Sequence, residues 1–312
     1  MNVIMVNVFG KVPNKEYSHN AGWSFVVDDL IGCDVDYYDG TQDLSDYNHM
    51  IINNGVNYRE GQLNFFGGVQ QFTIDLLNDI RNNFNGKCYT FDHDFSFEDL
   101  LKRKEIDNVP DLQVNTVYSD TKRSNLIVGD SHSISAFPFG ERYSISRNDG
   151  KTLHGFLKDP MAYIFKNSEK RKLENLIMYF GNIDIRFHLS RRENPTESTI
   201  DLANKYFDFA ISCLGFCDNV KIQGLMPIED ESRKIPKTGQ YKGENFFGDW
   251  QFRTYLVEVF NSTLKKRQDQ LLRSGVESPI FMPHWIDTKK LSFDHMEARQ
   301  SVHIRPSSYK YR

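Results

Sequence analysis

Leu126-Ile-Val-Gly-Asp-Ser-His-Ser133 decides how this chain is read. A short apolar run that ends at a glycine reads as a buried strand, and the chain must then turn toward a helix. That turn sets Ser131 at the carboxyl edge of a sheet, where open α/β sheets hold their ligands. Two roles fit a serine there. It can be a nucleophile, because N–H groups of the turn and of the helix start receive the charge that develops on a carbonyl oxygen. It can equally cap a helix on an inert turn.

Outward from this stretch, strands and helices alternate. Asn175–Phe180 and Val220–Pro227 read as further strands, Thr196–Leu214 and Trp250–Leu272 as amphipathic helices, and Pro279–Trp285 as a short last strand. Before residue 115 the same rhythm occurs. Asn2–Val8, Asp34–Tyr38, His49–Ile52 and Lys87–Phe91 are strand-like, and Ala21–Ile31 is helical. Gln71–Phe84 is helical too, with Phe72, Leu76, Ile80 and Phe84 spaced four apart and Gly86 as its stop. Strands separated by helices imply mostly parallel sheets. The expected fold class is therefore α/β in two domains: a Rossmann-like domain over 1–115, without the usual glycine fingerprint, and a second over 116–312.

Composition bounds the function. The 312 residues are 39% hydrophobic, enough for real cores, and 38 basic against 42 acidic side chains leave a formal charge of -4. A chain-wide positive field for a polyanion is excluded, so nucleic-acid binding would need a local surface. The short basic runs Lys170–Lys172 and Lys265–Arg267 read first as solvated faces. Cys33, Cys88, Cys213 and Cys217 are scattered, and the Cys213/Cys217 spacing suits a helical face better than a zinc knuckle, so free thiols and no metal or cofactor are expected. Met1-Asn2-Val3-Ile4 runs straight into a strand without a signal-peptide pattern, and no apolar stretch approaches the roughly 18 residues of a membrane span. A soluble protein of a reducing compartment is the expectation. The 24 Phe and 15 Tyr are a surplus that these features leave unplaced.

Two later stretches could complete a site around Ser131. In Leu176-Ile-Met-Tyr-Phe-Gly-Asn-Ile-Asp-Ile-Arg-Phe-His188 a strand again ends at the same expected edge, bringing Gly181 and the amide of Asn182, a possible oxyanion donor. Asp184 and Arg186 follow with alternate spacing, as an internal ion pair or with Arg186 facing an anionic or polar substrate group. Near the end come His284, then Asp294 and His295, then His303. A general base needs an imidazole within reach of the nucleophile and a carboxylate to orient it, and these residues arrive after the last strand.

Gly-Asp-Ser-His at 129–132, a glycine at Gly150, Gly-Asn-Ile-Asp-Ile-Arg at 181–186 and Asp294 with His295 together resemble the SGNH (GDSL-type) hydrolases over about residues 122–305. The resemblance implies a flavodoxin-like three-layer α/β/α domain. It implies Ser131 as nucleophile, with its N–H, the Gly150 N–H and Asn182 lining the oxyanion hole, Gly181 and Asp130 beside them, and Asp294 and His295 completing a triad. Gly155 is a second candidate for the glycine. The family spaces its late acid and base as Asp-x-x-His, whereas here they are adjacent, and adjacent side chains on an extended segment point apart. His303 is the rival base. The Gly-x-Ile-Asp-x-Arg form is similar to a subset found in carbohydrate-related proteins.

In the first half, Tyr47–Asn54 followed by Asn64-Phe-Phe-Gly-Gly68 is similar to T4-type phage DNA β-glucosyltransferases. The leading expectation is a serine esterase or deacylase acting on O-acyl groups of a small acylated sugar or modified nucleoside. An O-acyltransferase using the same serine comes next, and then a phage DNA-modification protein, glycosyl-transferring or merely binding, with modified DNA met through the first domain. The expected location is the cytoplasm, that of the host if the chain is of phage origin, with no membrane partner. Phe137, Phe139, Tyr143, Phe246, Phe247 and Trp285 are candidates to offer rings to the substrate.

Overall fold

Runs of Val, Ile, Leu and Met form the innermost strands, and in both halves the strands are parallel. The computed structural model describes residues 2–7, 34–38, 40–53, 69–92, 114–119, 124–136, 143–165, 170–230, 240–244, 247–287, 293–296, 302–305 and 308. The chain is α/β with two parallel sheets, and it divides into two compact units. One unit is Met1–Lys122 with Phe139–Arg142 and Arg305–Ser307; the other is Arg123–Pro138, Tyr143–Ile304 and Ser308–Arg312.

The first unit holds β1 (Val3–Asn7), β2 (Val35–Tyr37), β3 (His49–Asn53), α1 (Val69–Asn83), β4 (Lys87–Asp92) and β5 (Val114–Ser119). Its sheet runs β2-β1-β3-β4-β5, parallel throughout. Helix α1 lies where the four-residue spacing predicts it, and its Leu76, Leu77 and Ile80 pack with Ile4, Val6, Met50 and Ile52 of β1 and β3. Gly86 sits tight against the chain, because a Cβ there would lie 2.4 Å from the Asn48 carbonyl oxygen. Strand β5 passes through residue 115, so this sheet reaches beyond the expected domain boundary. The helix expected over 21–31 and the glycine pair at 67–68 lie outside the described residues.

The second unit holds β6 (Asn125–Gly129), β7 (Ser144–Arg147), α2 (Leu153–Phe156), α3 (Pro160–Ile164), β8 (Leu173–Tyr179), α4 (Pro195–Cys213), β9 (Cys217–Gln223), α5 (Trp250–Arg273) and β10 (Ile280–Met282). The order is β10-β9-β8-β6-β7, again all parallel. Counted from its own first strand, each sheet therefore has the order 2-1-3-4-5, and its chain direction reverses beside the first strand. In the second sheet that switch lies between β6 and β8. The steps from β7 to β8, β9 and β10 all move the same way across the sheet, and right-handed crossovers then put α2, α4 and α5 on one face. The observed packing of α4 on α5 and of α2 on α4 agrees.

The apolar runs of β6 and β8 are buried, as those of parallel central strands are: Leu126, Ile127, Val128, Leu176, Ile177 and Met178 are all inside. Strand β9 begins earlier than expected because Cys217-Asp-Asn, which is not an apolar run, already pairs with β8. Cys213 ends α4 and Cys217 opens β9, so the two thiols do not share a helical face. Among the described residues, no helix is long and apolar enough to cross a membrane.

Candidate active site

Parallel pairing brings the ends of β6, β7 and β8 to one edge. The β6–β8 ladder extends past the strands through the Asp130 N–H donating to the Tyr179 carbonyl at 3.1 Å, which sets Ser131 next to the Phe180-Gly181-Asn182 turn. Asn148, just after β7, donates its N–H to the Gly129 carbonyl at 2.8 Å and ties the third strand end to the same place. Gly129 is required by contact: a Cβ would lie 2.7 Å from the Tyr179 carbonyl oxygen and 2.9 Å from Ser133 Cβ.

Beyond Gly129 the chain closes into a tight turn and the single 3-10 turn Ser133–Ala136. The Ser133 N–H donates to the Asp130 carbonyl, and the Ser135 N–H and hydroxyl both donate to the His132 carbonyl. Ser131 is buried in this turn, only 8% exposed, and its Oγ lies 2.8 Å from Nε2 of His303. Of the three late histidines proposed from sequence, His303 is the one whose hydrogen bond reaches the serine. His295 Nδ1 lies 3.3 Å from the Ser308 hydroxyl, with its ring edge-on to Trp285. Asp294 is exposed on the 3-10 turn Phe293–His295. His284 accepts the Ile286 N–H at Nδ1 and stacks on Trp285.

Asn182 is 1% exposed, and its Nδ2 donates to the Met226 carbonyl at 3.2 Å. The neighbouring Leu225 backbone is clamped at both ends by the Asn261 amide of α5. Gly181, at φ +124, takes a conformation that side chains with a Cβ rarely adopt, and it packs against Leu225 and Phe260. Gly150 lies exposed, at φ +69, in the turn after β7. The other candidate glycine is committed elsewhere: the Gly155 N–H donates to the Thr152 side chain that caps α2.

Residues 184–188 do not continue as an extended segment; they form one π-helical turn. Asp184 turns inward and accepts the Leu153 and His154 N–H groups at 2.6 and 3.1 Å, where an N-terminal helix end favours negative charge. Burial nonetheless outweighs these bonds and pushes its carboxyl up to about 7, with the Asp130 charge adding to the rise. Arg186 pairs with Glu229, both nearly inaccessible, so the ion pair with Asp184, one of the two roles open to it from sequence, is replaced. Buried Arg253 donates to the Glu229 carbonyl and to that of Gly248. His188 contacts the Tyr241 hydroxyl, and burial holds its imidazole below the ordinary value.

His132 is the site residue that the sequence reading passed over, although it stands in the quoted motif. It is 3% exposed, and its Nδ1 lies 2.7 Å from Asp130 Oδ1 and its Nε2 3.0 Å from the Val302 carbonyl. Its ring centroid is 5.1 Å from that of His303. Nothing local in the sequence links residue 132 to residue 302; only the return of the chain to the sheet edge does.

Tyr143 is fully buried, Phe247 is half exposed, and Phe137, Phe139 and Phe246 lie outside the described residues. The basic runs are answered locally: Lys172 pairs with Asp218, Lys265 with Asp269 and Arg267 with Asp208. Among the described residues, no group of three or more His, Cys, Asp or Glu could hold a metal ion.

No family model and no curated protein matches the sequence. Among solved structures, the chain is similar to one from Streptococcus pneumonia, provisionally named a platelet activating factor, at 14% identity and a TM-score of 0.39 over 62% of this chain and 82% of that one.

Proposed function

We propose that the second unit is a serine hydrolase of the SGNH type, with the flavodoxin-like strand order that such a domain has, and that it cleaves O-acyl esters of a carbohydrate or modified nucleoside. The observation that carries this reading is the 2.8 Å contact between Ser131 Oγ and His303 Nε2 at the switch point of the sheet. In the mechanism, His303 takes the hydroxyl proton as Oγ attacks the acyl carbon. One of the two Asn182 Nδ2 hydrogens is held by Met226, which leaves the other for the oxyanion together with the Ser131 and Gly150 N–H groups. His303 then passes its proton to the departing sugar oxygen, and water activated by the same imidazole releases the acid. If a sugar hydroxyl intercepts the acyl-enzyme instead, the outcome is transfer, and product analysis with and without a sugar acceptor separates the two.

The substrate class comes from the resemblance of the 181–186 segment to carbohydrate-related members of the family. The experiment is turnover of a short acyl ester by wild type and Ser131→Ala, with circular dichroism to verify folding. Loss of all enzymatic turnover in a folded variant is expected. Equal turnover in the two proteins would sink the assignment.

A further inference from the structure

The mechanism places a base on a segment that follows the last strand by about twenty residues, and a proton can be taken only if that base is held within hydrogen-bond reach. We infer that His132 is the positioning residue that seats His303 against Ser131, by bridging the Asp130 carboxylate to the main chain at Val302. The bridge runs from Asp130 Oδ1 to Nδ1 at 2.7 Å and from Nε2 to the Val302 carbonyl at 3.0 Å. His132 is thus bonded to the residue immediately before the base, while its own backbone immediately follows the nucleophile. Ser131 and His303 are joined through one buried ring.

Both partners of that ring are acceptors. A main-chain carbonyl cannot donate, and Asp130 Oδ1 already accepts the His132 backbone N–H at 2.9 Å. His132 touches neither the acyl group nor the reacting oxygen in this scheme; it acts through the backbone of residues 302–303.

The kinetic part of this inference rests on the hydrolase reading, so the test has an arm that does not. Histidine ring ¹⁵N spectra of the full chain are recorded for wild type, H132Q, H132N and S131A. Glutamine carries its amide nitrogen about where Nε2 lies and keeps the bond to Val302, whereas asparagine keeps only the side toward Asp130. The His303 signal should be kept in H132Q and moved in H132N toward its position in S131A. In ester turnover, H132N is expected to lower kcat about 100-fold with KM little changed, and H132Q to restore it to within about tenfold. An H132N variant with unchanged His303 signal and kcat overturns the inference. If wild type turns over no ester but the spectra follow the expected pattern, the hydrolase reading fails and the seating role stands.

Discussion

His303 and His295 are eight residues apart and chemically identical, yet they have different surroundings. One meets Ser131 Oγ at 2.8 Å, while the other meets the Ser308 hydroxyl and the edge of Trp285. His303→Ala is therefore expected to reduce ester turnover by 10³-fold or more, on the order of what loss of a triad member costs. His295→Ala should stay within about threefold of wild type. Steady-state kinetics on both variants decides, and the reverse ranking would return the base to position 295. Asp184 offers a separate residue-level check through stability. Its carboxyl holds its proton up to about 7 in the folded chain against an ordinary 3.8. Below that ordinary value both states are protonated and the contribution is full. As pH rises toward 7 the unfolded chain ionises first, so folding loses up to about 4 kcal/mol from this group. In urea unfolding, the stability of wild type relative to Asp184→Asn should fall across this window, and a constant difference would refute the raised value.

At the scale of elements, the central strands were legible and their continuations were not. Leu126–Val128 and Leu176–Phe180 are uninterrupted apolar runs buried on both faces, so hydrophobicity alone finds them. Strand β7 is Ser-Ile-Ser-Arg, and its serines are buried through pairing with β6, which no apolar pattern announces. The segment Ile183–His188 alternates like a strand but forms a helical turn, because Asp184 is captured by the N–H groups of α2, thirty residues away in sequence. Ser131 and Asn182 could be nominated from strand ends, while His132 could not, since its role depends on a partner at residue 302. The turn after β6 gives a prediction of its own. Gly129→Ala must push Cβ into the Tyr179 carbonyl and Ser133, at a cost of about 1–3 kcal/mol, read as a lower urea midpoint. A midpoint equal to wild type would mean that the turn yields freely.

The whole molecule uses one strand order twice, although its two halves share no visible sequence repeat beyond the strand-helix rhythm. Each sheet buries at least one free thiol among the described residues: Cys88 in the first unit, and Cys213 and Cys217 in the second. Burial pushes Cys88 and Cys217 up to about 11 and Cys213 up to about 12, far from the thiolate needed for reaction. Peptide mapping after treatment with a disulfide reagent near pH 8 should find these three unmodified in the native protein and modified in denaturant. Modification of Cys213 in native protein would contradict the packing of α4 on the sheet.

The proposal that this molecule is a serine hydrolase stands or falls on whether Ser131 is a nucleophile activated by His303. A fluorophosphonate probe, followed by mass mapping of the labelled peptide, asks this without knowledge of the substrate. The account predicts one phosphonyl group on Ser131 in wild type, none in Ser131→Ala, and at least a 100-fold slower reaction in folded His303→Ala. An unlabelled Ser131, or labelling whose rate is unchanged when His303 is removed, would contradict it.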